Sequence, residues 1–293
     1  MTRYATDGPR TAAPEDLNLQ EKIQTLLMGV NLPRPENHST PKDYGLPFEQ
    51  LRFEGAFGVD IEAWQIEHAT NHGLILMFHG HGVSKDSLLP TAALFYKMGW
   101  DCGLIDFHGS GGSGTNVTSF GWYEATDVAA ALNYFSPMYE KQPVILYGVS
   151  MGAAAVLRAM HTDPLIVDGI ILELPYDTLI NAARQRFGAM HIPSWPAAEF
   201  LIFYGGMHGS FNGFELQPAE YAKSVHCPTL VMNGELDPRA PPEQALAVFR
   251  NLAGPKIHKQ FRGLGHRNFT EHDPANWLGT VTPFLNSIWR GRQ

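Results

Sequence analysis

From residue 74 to the C-terminus, short apolar runs alternate with longer amphipathic ones. "LILMF" (74–78), "CGLIDF" (102–107), "VILYG" (144–148), "GIILELP" (169–175), "TLVMNG" (229–234) and "KIHKQF" (256–261) have the length and branched, apolar character of buried strands. Between them stand stretches with helical spacing: 87–98, 123–135, 152–160, 242–252 and the final 274–289. Short strands separated by helices predict a parallel sheet covered on both faces. Ligands of such sheets gather at the carboxyl ends of the strands, so the residues just after each strand are where chemistry is expected.

Ahead of this pattern, "FEQLRF" and "VDIEAWQIE" read as two strands joined by a glycine-containing turn, a hairpin. Residues 1–45 are polar and proline-rich with one amphipathic segment, "LNLQEKIQTLLMGV", expected as a helix on the outside of the domain. The division expected is an extension over 1–45 and one domain over 46–293. With 44% hydrophobic residues the 293-residue chain can bury a sizeable core. The net charge of −8 offers no basic field for a phosphate backbone, which argues against nucleic acid as partner. No apolar run approaches the ~20 residues of a membrane span, and the first residues lack the apolar core of a secretory signal, so the cytoplasm is expected. Cys102 and Cys227 each open an apolar run and read as small buried hydrophobes. The sequence leaves the oligomeric state open.

One interval breaks the rhythm. About 50 residues separate Pro175 from the next strand, too many for a simple connection. They hold two apolar helical pieces and many aromatics, among them Trp195, Phe200, Phe203 and Tyr204. Because the interval follows a strand end, a lid or pocket wall over about 176–225 is expected, against the plainer reading of helices that extend the core.

Gly148-Val149-Ser150-Met151-Gly152 is G-x-S-x-G. Five residues with three fixed are weak alone, but here an apolar strand precedes them and an alanine-rich helix follows. A strand that turns straight into a helix forces the serine into a strained backbone with its hydroxyl outward. Side chains two residues either side would meet neighbouring backbone, hence glycine at 148 and 152. The Met151 amide, at the helix N-terminus, is then free to donate to an anion.

A serine hydroxyl needs a base, and the base needs a group to orient it. In a nucleophile-elbow fold these follow in the order acid, then histidine, each after a later strand. Asp237 stands in the turn after "TLVMNG", and His266 in the glycine-bracketed "GLGHRNF" after "KIHKQF". Glu173 and Glu235 are rival acids at strand ends, and His272 is a rival base; His258, inside a strand, reads as structural. The second oxyanion donor is expected from His79-Gly80-His81-Gly82 after "LILMF", as the backbone amide of His81. Three alternatives carry less. H-x-H at 79–81 has no further metal ligands at suitable spacing. Gly109, Gly111 and Gly114 match G-x-G-x-x-G but open no helix. His38 and Asp43 match a loose acyltransferase-like pattern that Pro41 turns into a bend. No cofactor and no metal are expected.

From about Gly45 onward the motifs "LILMFHGHGVSKDS", "DFHGSGGSG", "LYGVSMGAAA", "CPTLVMNGELDPRAP" and "GLGHRNF" occur in the order of the α/β-hydrolase family, which the chain resembles. The nearest flavour is the single-domain esterase and serine-aminopeptidase-like branch, similar to dienelactone-hydrolase and acyl-peptidase catalytic domains. The resemblance implies an eight-stranded, mostly parallel sheet with an antiparallel second strand, Ser150, Asp237 and His266 as a triad, and the His81 and Met151 amides as oxyanion hole. One departure is His108, where the family usually has a structural arginine. The expected activity is hydrolysis of a small carboxylic ester or thioester, of short to medium acyl or aryl chain, through an acyl-enzyme. The alternatives are an aminopeptidase with the same triad, whose amine-binding acid would come from Asp177, Glu199, Glu215 or Glu220, and a non-catalytic binding protein on this scaffold.

Overall fold

The computed structural model describes residues 3–5, 11, 18, 20–21 and 32–292. The amphipathic helix expected within 17–30 lies almost entirely outside them. Eight strands form one sheet: β1 Glu49–Glu54, β2 Asp60–Ile66, β3 Leu74–Phe78, β4 Asp101–Ile105, β5 Val144–Val149, β6 Gly169–Glu173, β7 Thr229–Gly234 and β8 Lys256–Phe261. Their order is β1-β2-β4-β3-β5-β6-β7-β8. The hairpin β1–β2 is antiparallel, β2 is antiparallel to β4, and every pair from β4 to β8 is parallel.

Helices alternate with these strands. α1 is Leu89–Lys97, α2 Glu124–Phe135 and α3 Met151–Thr162; α4 Leu179–Ala189, α5 Ala197–Gly209 and α6 Pro218–Tyr221 all fall between β6 and β7. α7 is Pro242–Asn251, and α8 Phe269–His272 and α9 Pro274–Arg292 close the chain. The interval expected as an insertion is therefore helical.

The period of two along each strand explains the two cores. On β3, Leu74, Leu76 and Phe78 face one side with α2 and α3, while Ile75 and Met77 face the other with α1 and α9. Residues of β3 to β7 are almost all buried, which is why those runs are continuously apolar in sequence. The edge strands β1 and β8 are partly exposed and carry charged residues, which discourage pairing with another chain.

Register then sets the site. Phe78 is opposite Gly148, Val149 opposite Glu173, Glu173 opposite Met232, and Gly234 opposite Phe261. The carboxyl ends of β3, β5, β6, β7 and β8 thus share one edge, and the turns that leave them are neighbours in space.

Candidate active site

Ser150 sits between β5 and α3 with φ 52° and ψ −109°, a left-handed conformation that is costly for a residue with a side chain. A hydrogen bond from its amide to the Glu173 carbonyl (2.8 Å) holds it there. The flanking glycines are steric requirements. A Cβ on Gly152 would lie 2.2 Å from the Phe78 carbonyl oxygen, and one on Gly148 would lie 2.7 Å from the Ala153 nitrogen. The helix can start only because it rests directly on β3. Met151 is its first residue, where amides have no intrahelical acceptor.

The turn after β7 meets the loop after β8. His266 Nδ1 is 2.7 Å from Asp237 Oδ2, and since a carboxylate only accepts, Nδ1 carries the hydrogen. This directs Nε2 to the opposite side of the ring with its lone pair available. Asp237 is buried, and its Oδ1 accepts from the amides of Arg239 (2.8 Å) and Ala240 (2.9 Å). The carboxylate is therefore held from three directions. Among the described residues no hydrogen bond joins Ser150 Oγ to His266; such contacts often tighten only around substrate.

The loop after β3 adjoins the elbow from the other side. A Cβ on Gly80 would stand 3.7 Å from Ser150 Cβ, so the residue before His81 packs against the serine. The His81 ring stacks against both Phe120 (centroids 4.5 Å apart) and Tyr4 (5.9 Å). Tyr4 comes from the N-terminal extension, is buried, and its hydroxyl accepts from the Gly82 amide at 3.4 Å. Residues 3–5 are anchored by backbone bonds from Tyr4 to Asn116 and from Ala5 to Leu32.

Buried charge braces this loop, and sequence reasoning missed it. The fully buried Lys85 ammonium donates to Glu62 (2.7 Å) and to Asp106, and stands 4.2 Å over the Trp64 ring. Asp106 also accepts from the Lys85 and Gly112 amides, both at 2.8 Å, tying the loop after β3 to the loop after β4. No spacing in the sequence announces this cluster, because its members come from three separate segments. Nearby, His108 Nδ1 lies 2.5 Å from Asp127 Oδ2. Burial alone would lower the His108 pKa, but the hydrogen bond and charge of Asp127 raise it to about 9. The pairing with Asp127 thus favours the protonated imidazole at this position.

Other candidates find structural partners. Glu173 is buried beneath the elbow; Trp277 Nε1 donates to its Oε1 at 2.6 Å, and it is not joined to His266. Burial raises its pKa to about 7, against the lowering effect of bonds from Trp277 and Tyr147. Glu235 accepts from the Gly263 amide, and His272 donates to the Asn268 carbonyl. His258 Nε2 meets Asn233 Oδ1 at 2.7 Å. His79 has both ring nitrogens engaged, Nδ1 with the Gly80 carbonyl and Nε2 with the Phe107 amide, and burial lowers its pKa. Among the described residues no group of three potential metal ligands converges. Gly109, Gly111 and Gly114 lie in the turn-rich loop after β4, not at a helix start, and Asp43 accepts from the Thr40 amide within a local turn.

The insertion docks beside the elbow: Tyr123 Oη donates to the Ser210 carbonyl, Tyr176 Oη to the Phe120 carbonyl, and Trp122 stacks on Phe211. On α5, Ala198, Ile202 and Gly206 face inward while Phe200, Phe203, Tyr204 and Met207 are exposed, as is Trp195 at 76%.

Comparison with known proteins adds to this geometry. The model of the family described as "Serine aminopeptidase, S33" matches residues 69–195, which hold His81 and Ser150 but neither Asp237 nor His266. An uncharacterized protein, YqkD, of Bacillus subtilis is 24% identical over 251 residues, covering 82% of each chain. Among solved structures, the Pyrococcus furiosus esterase Pf2001 superimposes with a TM-score of 0.73 at 20% identity, over 88% of this chain and 97% of that one. The chain has the α/β-hydrolase fold. The Pyrococcus horikoshii acylaminoacyl peptidase aligns with a TM-score of 0.62 at 16% identity over 83% of this chain and 41% of that one. The family model and the esterase neighbours together support a hydrolase on this α/β-hydrolase scaffold.

Proposed function

We propose that the protein is a serine carboxylic ester hydrolase. The observation that carries this reading is the elbow: Ser150, held at positive φ at the head of α3, lies on the same sheet edge as the bonded pair His266–Asp237. Ser150 Oγ attacks the ester carbonyl carbon while His266 Nε2 takes its proton. The Met151 and His81 amides stabilise the oxyanion. As the C–O bond breaks, His266 returns the proton to the leaving alkoxide. Water then repeats the cycle on the acyl-enzyme, and Asp237 holds the imidazole tautomer throughout. The chemistry needs no cofactor. The aromatic insertion would form the wall for a short to medium acyl or aryl group; a preference for long-chain emulsions over soluble butyrates would contradict that size.

The description of the family model makes an aminopeptidase the second reading. It asks for an acid free to bind a substrate amine. The four acids of the insertion are engaged: Asp177 by Asn181, Glu199 by Arg184, Glu215 by Asn212 and Glu220 by Lys223. This favours the ester.

The test is hydrolysis of p-nitrophenyl acetate and butyrate by wild type and Ser150→Ala, with fluorophosphonate labelling of each. Activity and label that vanish in the variant, with a rate loss on the order of 10⁶, support the reading. A folded wild type that neither turns over nor labels overturns it in favour of a binding protein, and aminoacyl-arylamide turnover above ester rates favours the peptidase.

A further inference from the structure

Glu173 is a buried acid that the proposed reaction does not use, yet its main chain holds the nucleophile: its carbonyl accepts from the Ser150 amide at 2.8 Å. Its carboxyl begins a chain of hydrogen bonds that leads to the loop of the proposed base. The Tyr147 hydroxyl bonds to this carboxyl and to the Thr91 hydroxyl. Thr91 Oγ1 lies 3.0 Å from Thr270 Oγ1, which lies 2.6 Å from Asn268 Oδ1. The Thr270 amide donates to the same Asn268 atom at 3.0 Å, which fixes that atom as the oxygen of the side-chain amide. Asn268 stands two residues beyond His266, in the loop after β8. Tyr147, Thr91 and Thr270 are buried, so bulk solvent does not reach the chain. Its hydrogens can be counted. Four contacts join Glu173, Tyr147, Thr91, Thr270 and Asn268, but the three hydroxyls carry one hydrogen each and Asn268 Oδ1 only accepts. The fourth hydrogen has to come from the carboxyl. With Glu173 protonated, each group donates to the next and every contact is made. With Glu173 ionised, Tyr147 must donate to the carboxylate, and one contact between Tyr147 and Asn268 is left without a hydrogen.

We propose that Glu173 is a positioning residue for the proposed base: protonated, it completes the chain that holds the His266 loop, and ionised, it slackens that loop. The inference rests on the ester-hydrolase reading and adds a regulation of the same site. A buried polar group left without its partner costs more than an average hydrogen bond gains, so the missing contact is felt at the weaker end of the chain, the loop. Burial raises the Glu173 carboxyl to about 7, which puts the change near neutral pH. Few other groups can impose such a transition on this carboxyl. Tyr147 faces it from β5 and Trp277, whose Nε1 donates to Oε1 at 2.6 Å, from α9; β7 carries no titratable side chain. The Asp237–His266 pair beyond β7 and β8 is bonded within itself. On the helices packed over this face, Tyr96 of α1 packs on His68, while Lys97 of α1, Glu271 and His272 of α8, and Arg290 and Arg292 of α9 are exposed.

Two arms test it. The first is the pH profile of kcat on p-nitrophenyl butyrate. In wild type kcat is expected to fall about fivefold between pH 7 and 8.5 with KM nearly constant, the effect of one lost hydrogen bond. In Glu173→Gln the side-chain amide donates to Tyr147 and accepts from Trp277 at every pH, so it copies the protonated acid and the fall should vanish. Tyr147→Phe cuts the chain: kcat at pH 7 should already be about fivefold low and fall no further. No fall in wild type, or a fall that persists in Glu173→Gln, overturns the proposal. Should Glu173→Gln not fold, Tyr147→Phe carries the test, and a fall that persists there overturns it equally. The second arm needs no turnover. Backbone hydrogen exchange over residues 266–272, corrected for the intrinsic rate, is compared at pH 6 and pH 8. Protection that drops at pH 8 in wild type but not in Glu173→Gln supports the chain even if Ser150 takes no label and the hydrolase reading falls. Equal protection at the two pH values overturns the chain while leaving ester hydrolysis to stand.

Discussion

The ring of Tyr4 stacks on the imidazole of His81, centroids 5.9 Å apart and planes inclined by 27°. Tyr4 therefore touches the residue whose amide is proposed to hold the oxyanion, and Phe120 stacks on the same ring. Tyr4→Ala removes both the stack and the acceptor for the Gly82 amide. We expect kcat on p-nitrophenyl butyrate to fall about tenfold with KM nearly constant, because a loosened oxyanion loop weakens the transition state more than the bound ester. Tyr4→Phe, which keeps the ring, should recover most of the loss. An unchanged kcat in Tyr4→Ala would show that the extension is only a cover.

Asp237 is the carboxylate bonded to His266, and Glu173 and Glu235 are engaged elsewhere. Asp237→Asn should fold normally yet lose on the order of 10³–10⁴ in kcat, since an amide there no longer favours the tautomer with hydrogen on Nδ1. Steady-state kinetics at pH 7 to 8 measure this. A loss below tenfold would assign the acid elsewhere.

His108 supplies a pH signature in stability. Its pKa of about 9 in the fold stands above the ordinary 6.5, so the protonated pair with Asp127 stabilises fully below pH 6.5. That contribution, on the order of 3 kcal/mol, is lost as pH rises through 9. His108→Gln leaves the buried Asp127 carboxylate without its cation. Urea unfolding should find the variant least stable relative to wild type near pH 6, with the gap closing above pH 9. A gap independent of pH would mean that the imidazole is neutral throughout.

Glu173 acts in a lower window with the same sign. Raised from 4.5 to about 7 by burial, its carboxyl favours the fold when protonated, so stability falls as pH rises from 4.5 to 7 and stays lowered above. Glu173→Gln keeps an acceptor for Trp277 Nε1 and carries no charge. Thermal melts should show a flatter profile between pH 5 and 8 and a higher Tm than wild type at pH 8. Parallel profiles for the two proteins would contradict the buried ionisation.

What the sequence made legible was whatever repeats along the chain or lies within a few residues. "TLVMNG" and "KIHKQF" are strands to the residue, the hairpin is antiparallel as its turn suggests, a helix begins at Met151 directly after β5, and the 176–225 interval is helical. The partnership of Asp237 and His266 could be anticipated because each follows a strand and the strands are neighbours. Tyr4 could not, because nothing in a proline-rich extension says which loop it will cross. The Lys85 cluster was equally hidden: a lysine in "VSKDS" reads as solvated, and only the sheet brings Glu62 and Asp106 to it. His108, noted as a departure from the pattern the resemblance implies, pairs with the buried Asp127.

The placement of the tryptophans gives the insertion an optical identity. Trp64, Trp100 and Trp277 are buried at 3%, 2% and 0% exposure, Trp122 and Trp289 are half-buried, and Trp195 alone of the six stands in the insertion at 76%. Acrylamide quenching of the intrinsic emission will therefore act first on Trp195. A change in that quenched fraction when ester or inhibitor is added reports on the insertion rather than on the sheet, without a label and without altering the chain.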